Sequence, residues 1–396
     1  MKYSRLIIFS LIVLLKASLA QAYPPQDAPI RVAVLLDASN FVLSIRGNYS
    51  VTDSKSGQEL EHGRTLRSAM IKAADGGIQI GDKKYHSSRI QIFPQKDVTV
   101  FINDKEQKYR GHIDIIRMPN NKILVVNTLD LETYTKGVLY HEVTNRWPIE
   151  AIKAQAVATR SYALYQATLN KDKDYDVTSD IFSQVYGGKS AERYRTNVAT
   201  NRTRGQVLIY AGEILPAYFH SNCGGHTENA SELWDQNLKP LQGVVCNFCK
   251  FSPGSMWQKN FRSKDIQDKL NQNGYHLGPI LDIKILERNE SGRIRNLEIT
   301  TRDGKKINIL GKKLREIIGP NIIRSNNYEI YMKGYYFDII GRGWGHGVGM
   351  CQWGANEMSR QRYKYDEILQ YYYPGAEIVA LEEPKEGGRD NFWNGI

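Results

Sequence analysis

Three charged side chains near two predicted helices are the strongest candidates for chemistry. Glu142 lies on a short segment between the helices. A single carboxyl group can act as a general acid and then as a general base if apolar neighbours such as Val143 and Trp147 raise its pKa. Lys153 and Arg160 are seven residues apart, so they project from nearly one stripe of the second helix. They either bind an anionic substrate or are ordinary solvated residues.

The four cysteines have two main interpretations. Nineteen residues separate two pairs of candidate ligands, Cys223 with His226 and Cys246 with Cys249. This spacing approximates a tetrahedral zinc site, in which His220 or Cys351 can replace one ligand. The alternative is two disulfides with three possible pairings, which are common in exported proteins, and free thiols are a third possibility.

The glycine-rich block from Gly341 to Gly349 does not fit a nucleotide-binding loop. No placement of its glycines gives G-x-G-x-x-G, and it has no Walker lysine. Alternate glycines instead let the backbone approach a ligand or a neighbouring helix closely. His346, the residue in this block that titrates near neutral pH, either faces a cleft or is a packed, hydrogen-bonded residue.

Recognisable signals bound the helices around these residues. The first helix covers Asp130 to Leu139, with Asn127 or Thr128 as its N-cap. The second runs from Ile149 to Leu169 and repeats small and branched apolar residues at helical spacing. A last helix from about Gly354 to Tyr373 ends before a Pro-Gly pair.

The predicted fold class is α+β, with room for two or three lobes. Apolar and polar residues alternate from about Ile30 to Val126, with turn signals at Gly47-Asn48, Ser56-Gly57, Gly76-Gly77 and Asn120-Asn121. We divide the chain into a signal peptide (1–22), a small β-rich N-terminal domain (23–127), a helical catalytic lobe with the Cys/His site (128–255), a second β-rich portion that closes the cleft (256–380) and a flexible tail (381–396).

The first residues predict export to the periplasm or the extracellular space. Lys2 and Arg5 precede an apolar run from Leu6 to Leu15, and small residues lead to a cleavage site after Ala22. The run is short for a bilayer span, so a retained anchor is the less favoured alternative. Cleavage lowers the formal net charge from +11 to +8, because residues 1–22 contain three basic and no acidic residues. A basic exported protein suits an anionic wall or membrane surface, and the chain shows no signature of nucleic-acid binding.

Six sequence blocks resemble those of the SpoIID/LytB family, named for the sporulation stage II protein D, in their usual order. The first, LDLETYTKGVLYHEV, is similar to the family's LxLExYxxGVxxxE segment, and the second, PIEAIKAQAVATRSYAL, resembles its PxEALKAQAVAARTYAL helix. The others are YDVTSDIFSQVYGG, AYFHSNCGGHTENASELW, LREIIG and GRGWGHGVGMCQWGA. One departure is Ser183, where several relatives carry cysteine, so a metal or disulfide role of that position is absent here.

The resemblance implies roles for particular residues. Glu142 matches the family's catalytic acid, and Lys153 and Arg160 match basic residues expected to line its cleft. Further substrate contacts are expected from the other blocks, at Gln184, Tyr186, Trp344 and His346, with the Trp344 ring stacking on a sugar. Some relatives carry a zinc ion beside the active site, which favours zinc over disulfides. The zinc is expected to be structural, because the family's chemistry needs no cofactor.

By resemblance, the chain is a peptidoglycan lytic transglycosylase that cleaves MurNAc-GlcNAc strands to 1,6-anhydromuramic ends. This reaction needs one carboxyl group, because the attacking group is the sugar's own C6 hydroxyl, whereas ordinary glycoside hydrolysis needs two. Glu132 and Glu150 fall on helix positions that predict surface exposure, which favours the single-carboxyl route. The expected substrate is a strand already stripped of stem peptides by an amidase. The alternative is a non-catalytic wall-binding protein that enhances an N-acetylmuramoyl-L-alanine amidase.

Overall fold

A computed structural model describes residues 23–26, 28–102, 105–180 and 183–382. Over these residues the chain mixes helices with several separate sheets, which confirms the predicted α+β class. The α-helices are α1 (Leu131–Glu142), α2 (Ile149–Leu169), α3 (Tyr194–Arg202), α4 (Ser263–Gln272), α5 (Gly311–Ile318), α6 (Gln352–Arg360) and α7 (Tyr365–Tyr372). The predicted signal peptide and the predicted tail beyond Glu382 lie outside the described residues.

The strands of the N-terminal half are β1 (Pro29–Ala38), β2 (Asn40–Asp53), β3 (Glu59–Ala74), β4 (Gly77–Ile80), β5 (Lys83–Tyr85), β6 (Arg89–Pro94), β7 (Val98–Ile102), β8 (Lys105–Tyr109), β9 (His112–Arg117), β10 (Ile123–Asp130) and β11 (Val177–Thr178). They form one sheet in the order β11-β1-β10-β9-β6-β2-β3-β4-β5, and the β7-β8 hairpin pairs with β2. Alternate side chains along these strands form its apolar core.

Three of the four turns predicted in this half are confirmed, at Ser56-Gly57, Gly76-Gly77 and Asn120-Asn121. The turn predicted at Gly47-Asn48 is wrong, because both residues lie inside β2. There the pairing shifts from Arg46 opposite Thr65 to Tyr49 opposite Gly63, and Gly47 has a φ of 101°. The glycine therefore marks a β-bulge, which inserts an extra residue without ending the strand.

The later strands are β12 (Gln206–Tyr210), β13 (Glu213–Ile214), β14 (Phe219–His220), β15 (Met256–Arg262), β16 (Ile280–Arg288), β17 (Ile294–Thr301), β18 (Lys306–Leu310), β19 (Tyr328–Lys333), β20 (Tyr336–Arg342), β21 (Met350–Cys351) and β22 (Glu377–Ala380). They form small sheets: β13-β12-β22, β15-β20-β19, β16-β17-β18, and the parallel pair β14-β21. The two sheets between Met256 and Arg342 share an apolar core with α4 and α5.

Strand β10 runs directly into α1, and the start of this helix corrects the predicted cap. Asp130 is the N-cap, and its side chain accepts a hydrogen bond from the Thr133 backbone N–H at 2.9 Å. Neither predicted cap residue is free for that role. The Asn127 side chain donates to backbone carbonyls of the sheet, and the Thr128 hydroxyl donates to Asp114 at 2.9 Å.

Helix α2 lies at the centre of the molecule, and its predicted bounds are confirmed. It packs against α1, α3, α6, α7 and β12. Its residues 154–161 are all buried, because neighbours cover every side of the helix over that stretch. The long helix predicted from Gly354 to Tyr373 is wrong, since the chain forms α6 and α7 with a break between them. Arg362 has a φ of 72° in this break, and Glu367 caps the new helix by accepting from the Lys364 N–H.

None of the helices in the described part of the chain combines the length and the apolar character needed to cross a membrane.

Candidate active site

Glu142 is the last residue of α1, and its carboxylate is held by two segments far away in sequence. One oxygen, Oε1, accepts a hydrogen bond from the Val185 backbone N–H at 3.1 Å. The other, Oε2, accepts from the Gln352 side-chain amide at 3.2 Å. The Gln352 amide also lies 3.4 Å from Gln155 Oε1 of α2. The carboxyl group is therefore fixed at the point where α1, α2, the loop before Tyr186 and the start of α6 meet.

The surroundings of Glu142 suit an acid that starts out protonated. Burial raises the pKa of Glu142, while the hydrogen bonds from Val185 and Gln352 favour the ionised form and only partly offset this rise. Both of these donors are neutral. The carboxyl group also lies at the C-terminus of α1, where the helix dipole disfavours a negative charge. The net result is a carboxyl group whose pKa lies above its usual value.

Gln184 and Tyr186 support this site from behind, and neither faces a substrate. Both side chains are buried. Gln184 Oε1 accepts from the Tyr134 hydroxyl at 2.8 Å, and the Tyr186 hydroxyl donates to Asn127 Oδ1 at 2.7 Å. These bonds fix the backbone on both sides of Val185, whose N–H reaches Glu142. The predicted substrate contacts are therefore corrected to a positioning role, because the side chains point into the core.

Arg160 does not line a cleft either. Its side chain is fully buried and forms a two-pronged ion pair with Glu132, with both N–O distances at 2.8 Å. The guanidinium also donates to the Thr200 carbonyl at 2.8 Å, and Glu132 accepts from the Gly205 N–H at 2.9 Å. Glu132 is likewise buried, so the prediction of a surface position for it is wrong. This ion pair ties the start of α1 to α2 and to the end of α3.

Lys153 is also paired with an acidic residue. Its ammonium group lies 2.8 Å from Glu150 Oε1 on the same helix and 5.3 Å from the centre of the Tyr365 ring. Glu150 Oε2 accepts from the Tyr365 backbone N–H at 3.1 Å. Lys153 therefore lies where α2 contacts α7, and substrate binding by this residue stays a prediction.

A row of aromatic rings extends from the neighbourhood of Glu142. The negative charge of Glu142 contributes to raising the pKa of Tyr162 to about 12, after the larger effect of burial, and the Tyr162 hydroxyl is hydrogen-bonded with Ser183. The Tyr162 ring lies 5.8 Å from that of Tyr218, which stacks on Trp234 at 4.5 Å. The Trp234 ring in turn lies 5.4 Å from that of His346. Such a row offers flat apolar faces of the kind that pack against sugar rings.

His346 is a packed, hydrogen-bonded residue at the far end of this row. Its Nδ1 accepts from the Val348 N–H at 3.0 Å, so its Nε2 carries the proton and donates to the Phe219 carbonyl at 3.0 Å. Burial, with a smaller contribution from nearby Arg315, lowers the pKa of His346 to about 4, so the ring is neutral at physiological pH. Trp344 is partly exposed, and the Arg324 guanidinium lies 4.5 Å from its ring centre.

A cavity of about 150 Å³ opens beside His346, and sequence reasoning did not single out its cations. Its lining includes Trp234 and His346 together with Lys312, Arg315 and Glu316 of α5. Arg315 donates to backbone carbonyls, whereas within the described part of the chain Lys312 donates one hydrogen bond, to the Leu233 carbonyl at 3.1 Å. The LREIIG block was the available signal, because it contains Arg315 and follows Lys312 closely.

The structure brings all four cysteines together and leaves His226 outside. The Sγ atoms of Cys223, Cys246, Cys249 and Cys351 all lie within 4.8 Å of one another. His226 Nδ1 instead contacts the Thr227 carbonyl at 2.6 Å, and His220 Nδ1 contacts the Val348 carbonyl at 3.1 Å. The group thus contains three of the predicted ligands and Cys351, one of the two predicted substitutes, but not His226.

Comparison with known proteins gives two family matches. Residues 119–210 match the model described as stage II sporulation protein, and residues 254–349 match a domain of unknown function, DUF8618. An uncharacterised protein of Brachyspira hyodysenteriae is 32% identical over 92% of this chain and 96% of its own length. Stage II sporulation protein D of Bacillus subtilis is 30% identical over 65% of this chain and 76% of that protein. The amidase enhancer of the same organism is 27% identical, and the match covers 62% of this chain and 40% of the enhancer.

Replacement of Arg160 by Met is expected to lower the free energy of unfolding by about 3–5 kcal/mol, because it leaves the buried Glu132 carboxylate without its partner. Urea unfolding followed by circular dichroism measures the change. The matched control is Lys264→Met, which removes a cation from an exposed pair with Asp268 and should cost at most about 1 kcal/mol. Equal small losses for both variants would show that the buried pair does not hold the helices together.

Proposed function

The chain belongs to the SpoIID family, and on that premise we propose that it is a peptidoglycan lytic transglycosylase. The proposed substrate is the MurNAc-GlcNAc glycan strand, and the proposed products end in 1,6-anhydromuramic acid. One observation carries the proposal: Glu142, the residue that matches the family's catalytic acid, is a carboxyl group with a raised pKa and two neutral hydrogen-bond donors.

The proposed reaction uses this one group twice. Protonated Glu142 gives its proton to the glycosidic oxygen as the bond from C1 of the muramic acid breaks. The carboxylate that results is stabilised by the Val185 N–H and the Gln352 amide. It then takes the proton of the C6 hydroxyl as that oxygen bonds to C1. No water is consumed, and Glu142 ends in the state in which it began.

The nearest acidic residues on the same two helices support a single-carboxyl reaction. Glu132 is buried against Arg160, and Glu150 is bound to Lys153 and to the Tyr365 N–H. Hydrolysis needs a second carboxylate that is free to activate water or to attack the sugar. Each of these two carboxylates is already engaged in holding the fold.

We also propose where the charge of a stripped strand binds. Removal of the stem peptide exposes the lactyl carboxylate of muramic acid, and a cation with a spare hydrogen-bond donor suits it. Arg160 is excluded because it is buried, and Arg315 is bound to backbone carbonyls. Lys312 has spare donors beside Trp234 and His346, at the end of the aromatic row that begins near Glu142. We therefore assign the carboxylate to Lys312.

The proposed location is the periplasm or cell wall, with an amidase that acts earlier on the same strands. The predicted export signal and the basic net charge support this location. The alternative function, non-catalytic enhancement of a wall amidase, has the support of the similarity to the Bacillus subtilis amidase enhancer. The raised pKa of Glu142 favours the enzyme, because wall binding alone does not need a protonated carboxyl group.

Glycan strands stripped by an amidase are expected to yield anhydromuramic ends, and Glu142→Gln should reduce their formation to background. Mass spectrometry of the products measures this. The matched control is Glu357→Gln on α6. The Glu357 carboxylate accepts a hydrogen bond from the exposed Gln361 side chain at 3.0 Å, and this variant should leave the products unchanged. Reducing ends would identify a hydrolase instead. If the wild type forms no new ends but accelerates an added amidase, the alternative function is correct.

The Glu142→Gln variant should fold at least as well as the wild type. Since burial raises the pKa of Glu142, the ionised group lowers stability as the pH rises above its unfolded value of 4.5. The melting temperature at neutral pH should therefore be equal or higher in the variant, and any gain should disappear in acid. A large loss would mean that inactivity reflects misfolding.

The pH dependence of kcat/KM should follow the protonation of Glu142, with activity falling on the basic side. Gln352→Met removes a hydrogen bond that favours the ionised form, so it should raise the pKa further and move this basic limb to higher pH. The control, Gln361→Met, removes an exposed amide at the other end of α6 and should leave the profile unmoved. A shift to lower pH in Gln352→Met would contradict the assignment of Glu142 as the acid.

Lys312→Met should lower kcat/KM on stripped strands by roughly tenfold, the size expected for one charge-assisted hydrogen bond, and should change it little on intact strands. The control is Lys306 of β18, which is exposed and pairs with Glu298, outside this cavity. Lys306→Met should leave the preference for stripped strands intact. Equal losses of kcat/KM on stripped and intact strands would mean that Lys312 supports the fold around this cavity and does not bind the lactyl carboxylate.

A further inference from the structure

The four buried cysteines come from three separate segments of the chain. Cys223 lies in the loop after β14, Cys246 and Cys249 lie in the loop before β15, and Cys351 ends β21. The parallel pairing of β14 with β21 sets Phe219 opposite Met350 and His220 opposite Cys351, which brings the first and last segments together. The fold therefore gathers sulfur atoms that are up to 128 residues apart in sequence.

The arrangement of the sulfurs fits one central ion. A tetrahedron with Zn–S bonds of about 2.3 Å has S–S edges of about 3.8 Å. Here Cys223 Sγ lies 3.4 Å from Cys249 Sγ, and every pair of sulfurs lies within 4.8 Å. Two disulfides would draw the sulfurs into two bonded pairs, each about 2.0 Å long. Four mutually close sulfurs instead fit four ligands around one shared metal ion, and soft thiolates in a tetrahedral arrangement suit zinc or iron.

The groups around the sulfurs also suit thiolates. Cys351 Sγ accepts from the Cys223 N–H at 3.3 Å and from the Gly354 N–H at 3.4 Å, and the Tyr372 hydroxyl lies 3.2 Å from Cys246 Sγ. The buried Arg293 guanidinium donates to the Cys223 carbonyl at 2.7 Å, which puts a positive charge beside the loop that carries this cysteine. Such donors and charge offset the excess of negative charge that four thiolates leave around one Zn²⁺ ion.

We propose that Cys223, Cys246, Cys249 and Cys351 bind one structural zinc ion, and that this ion fixes the start of α6 beside the active site. Each thiol loses its proton to solvent on binding. Cys351 is the N-cap of α6, and the next residue, Gln352, donates to Glu142. The ion thus acts at a distance from the reacting sugar, by holding the helix that positions Gln352. The proposal of a metal site does not depend on the proposed transglycosylase activity, whereas the proposed effect of the ion on Glu142 does.

The test of the metal site is the zinc content of the full chain, purified without denaturant. Elemental analysis should find about one zinc per chain, and a strong chelator should lower the melting temperature, because metal binding energy becomes folding energy. His226→Ala should keep its zinc and Cys351→Ser should lose it. Loss of zinc in His226→Ala with retention in Cys351→Ser would overturn the four-cysteine site and support the ligand set expected from spacing. Iron in the site would overturn the choice of zinc.

Thiol titration of the wild type distinguishes a zinc site from two disulfides even if Cys351→Ser fails to fold. The zinc site predicts that denaturant with chelator releases four reactive thiols per chain, the full cysteine content. Absence of metal, absence of reactive thiols and sensitivity to reductant would show two disulfides and overturn the proposal. Four reactive thiols in a protein that binds no added zinc would overturn it as well.

The effect on Glu142 has its own readout. Partial removal of zinc under folding conditions should move the basic limb of the pH profile to higher pH, in the direction expected for Gln352→Met. An unmoved limb in a protein that binds zinc would overturn the coupling and leave the metal site standing. Failure of the transglycosylase assay would leave the metal content and the melting temperature as valid tests of the site.

Discussion

The buried ion pair between Glu132 and Arg160 is the constraint on which the candidate active site depends. It joins the first turn of α1 to the middle of α2, and its remaining hydrogen bonds reach Thr200 at the end of α3 and Gly205 before β12. A charged pair this deep is costly to bury and is tolerated only where the geometry satisfies both partners. The pair therefore fixes the placement of the helices relative to one another. Because Glu142 lies at the other end of α1, this placement also sets its position.

The same helix arrangement sets the acidity of Glu142. The carboxyl group ends a helix, is largely shielded from water and receives two hydrogen bonds from neutral donors. Shielding and the helix dipole raise its pKa, and the donors lower it. A cation in place of either donor would shift this balance toward the ionised form and leave no proton to give. Neutral donors instead stabilise the carboxylate once it has formed, without preventing protonation at the start.

Local sequence signals were sufficient for most of the elements, but not for the break between α6 and α7 or for the directions of the side chains. The α+β class and the bounds of α2 were predictable, because helical spacing and strand alternation are properties of short segments. The burial of Arg160 was not predictable. Residue spacing separates exposed from buried positions only when one side of a helix faces water, and α2 is covered on all sides over residues 154–161. Gln184 and Tyr186 were misassigned for a related reason: a motif shows that residues matter, but not whether they touch substrate or hold the backbone between them.

The fourth cysteine shows a further limit of spacing. Pairs of ligands with two residues between them are visible in the sequence. This spacing led to the choice of His226 as the partner of Cys223. Cys351 follows Cys249 by more than a hundred residues, and only the pairing of β14 with β21 brings it to the cluster. Contacts of this kind depend on the complete topology, which the spacing of residues along the chain does not reveal.

The two cations of α2 show how the fold protects the chemistry at Glu142. Lys153 and Arg160 flank the stretch of α2 that carries Gln155, whose side chain contacts Gln352. Unpaired, two positive charges on this helix would stabilise the ionised form of Glu142 and lower its pKa. Each is instead matched by its own carboxylate, Glu150 for the first and Glu132 for the second, at 2.8 Å. The acidic residues that look like candidates for a second carboxylate thus neutralise the two cations of α2, and the pKa of Glu142 is set by its burial and its own two hydrogen bonds.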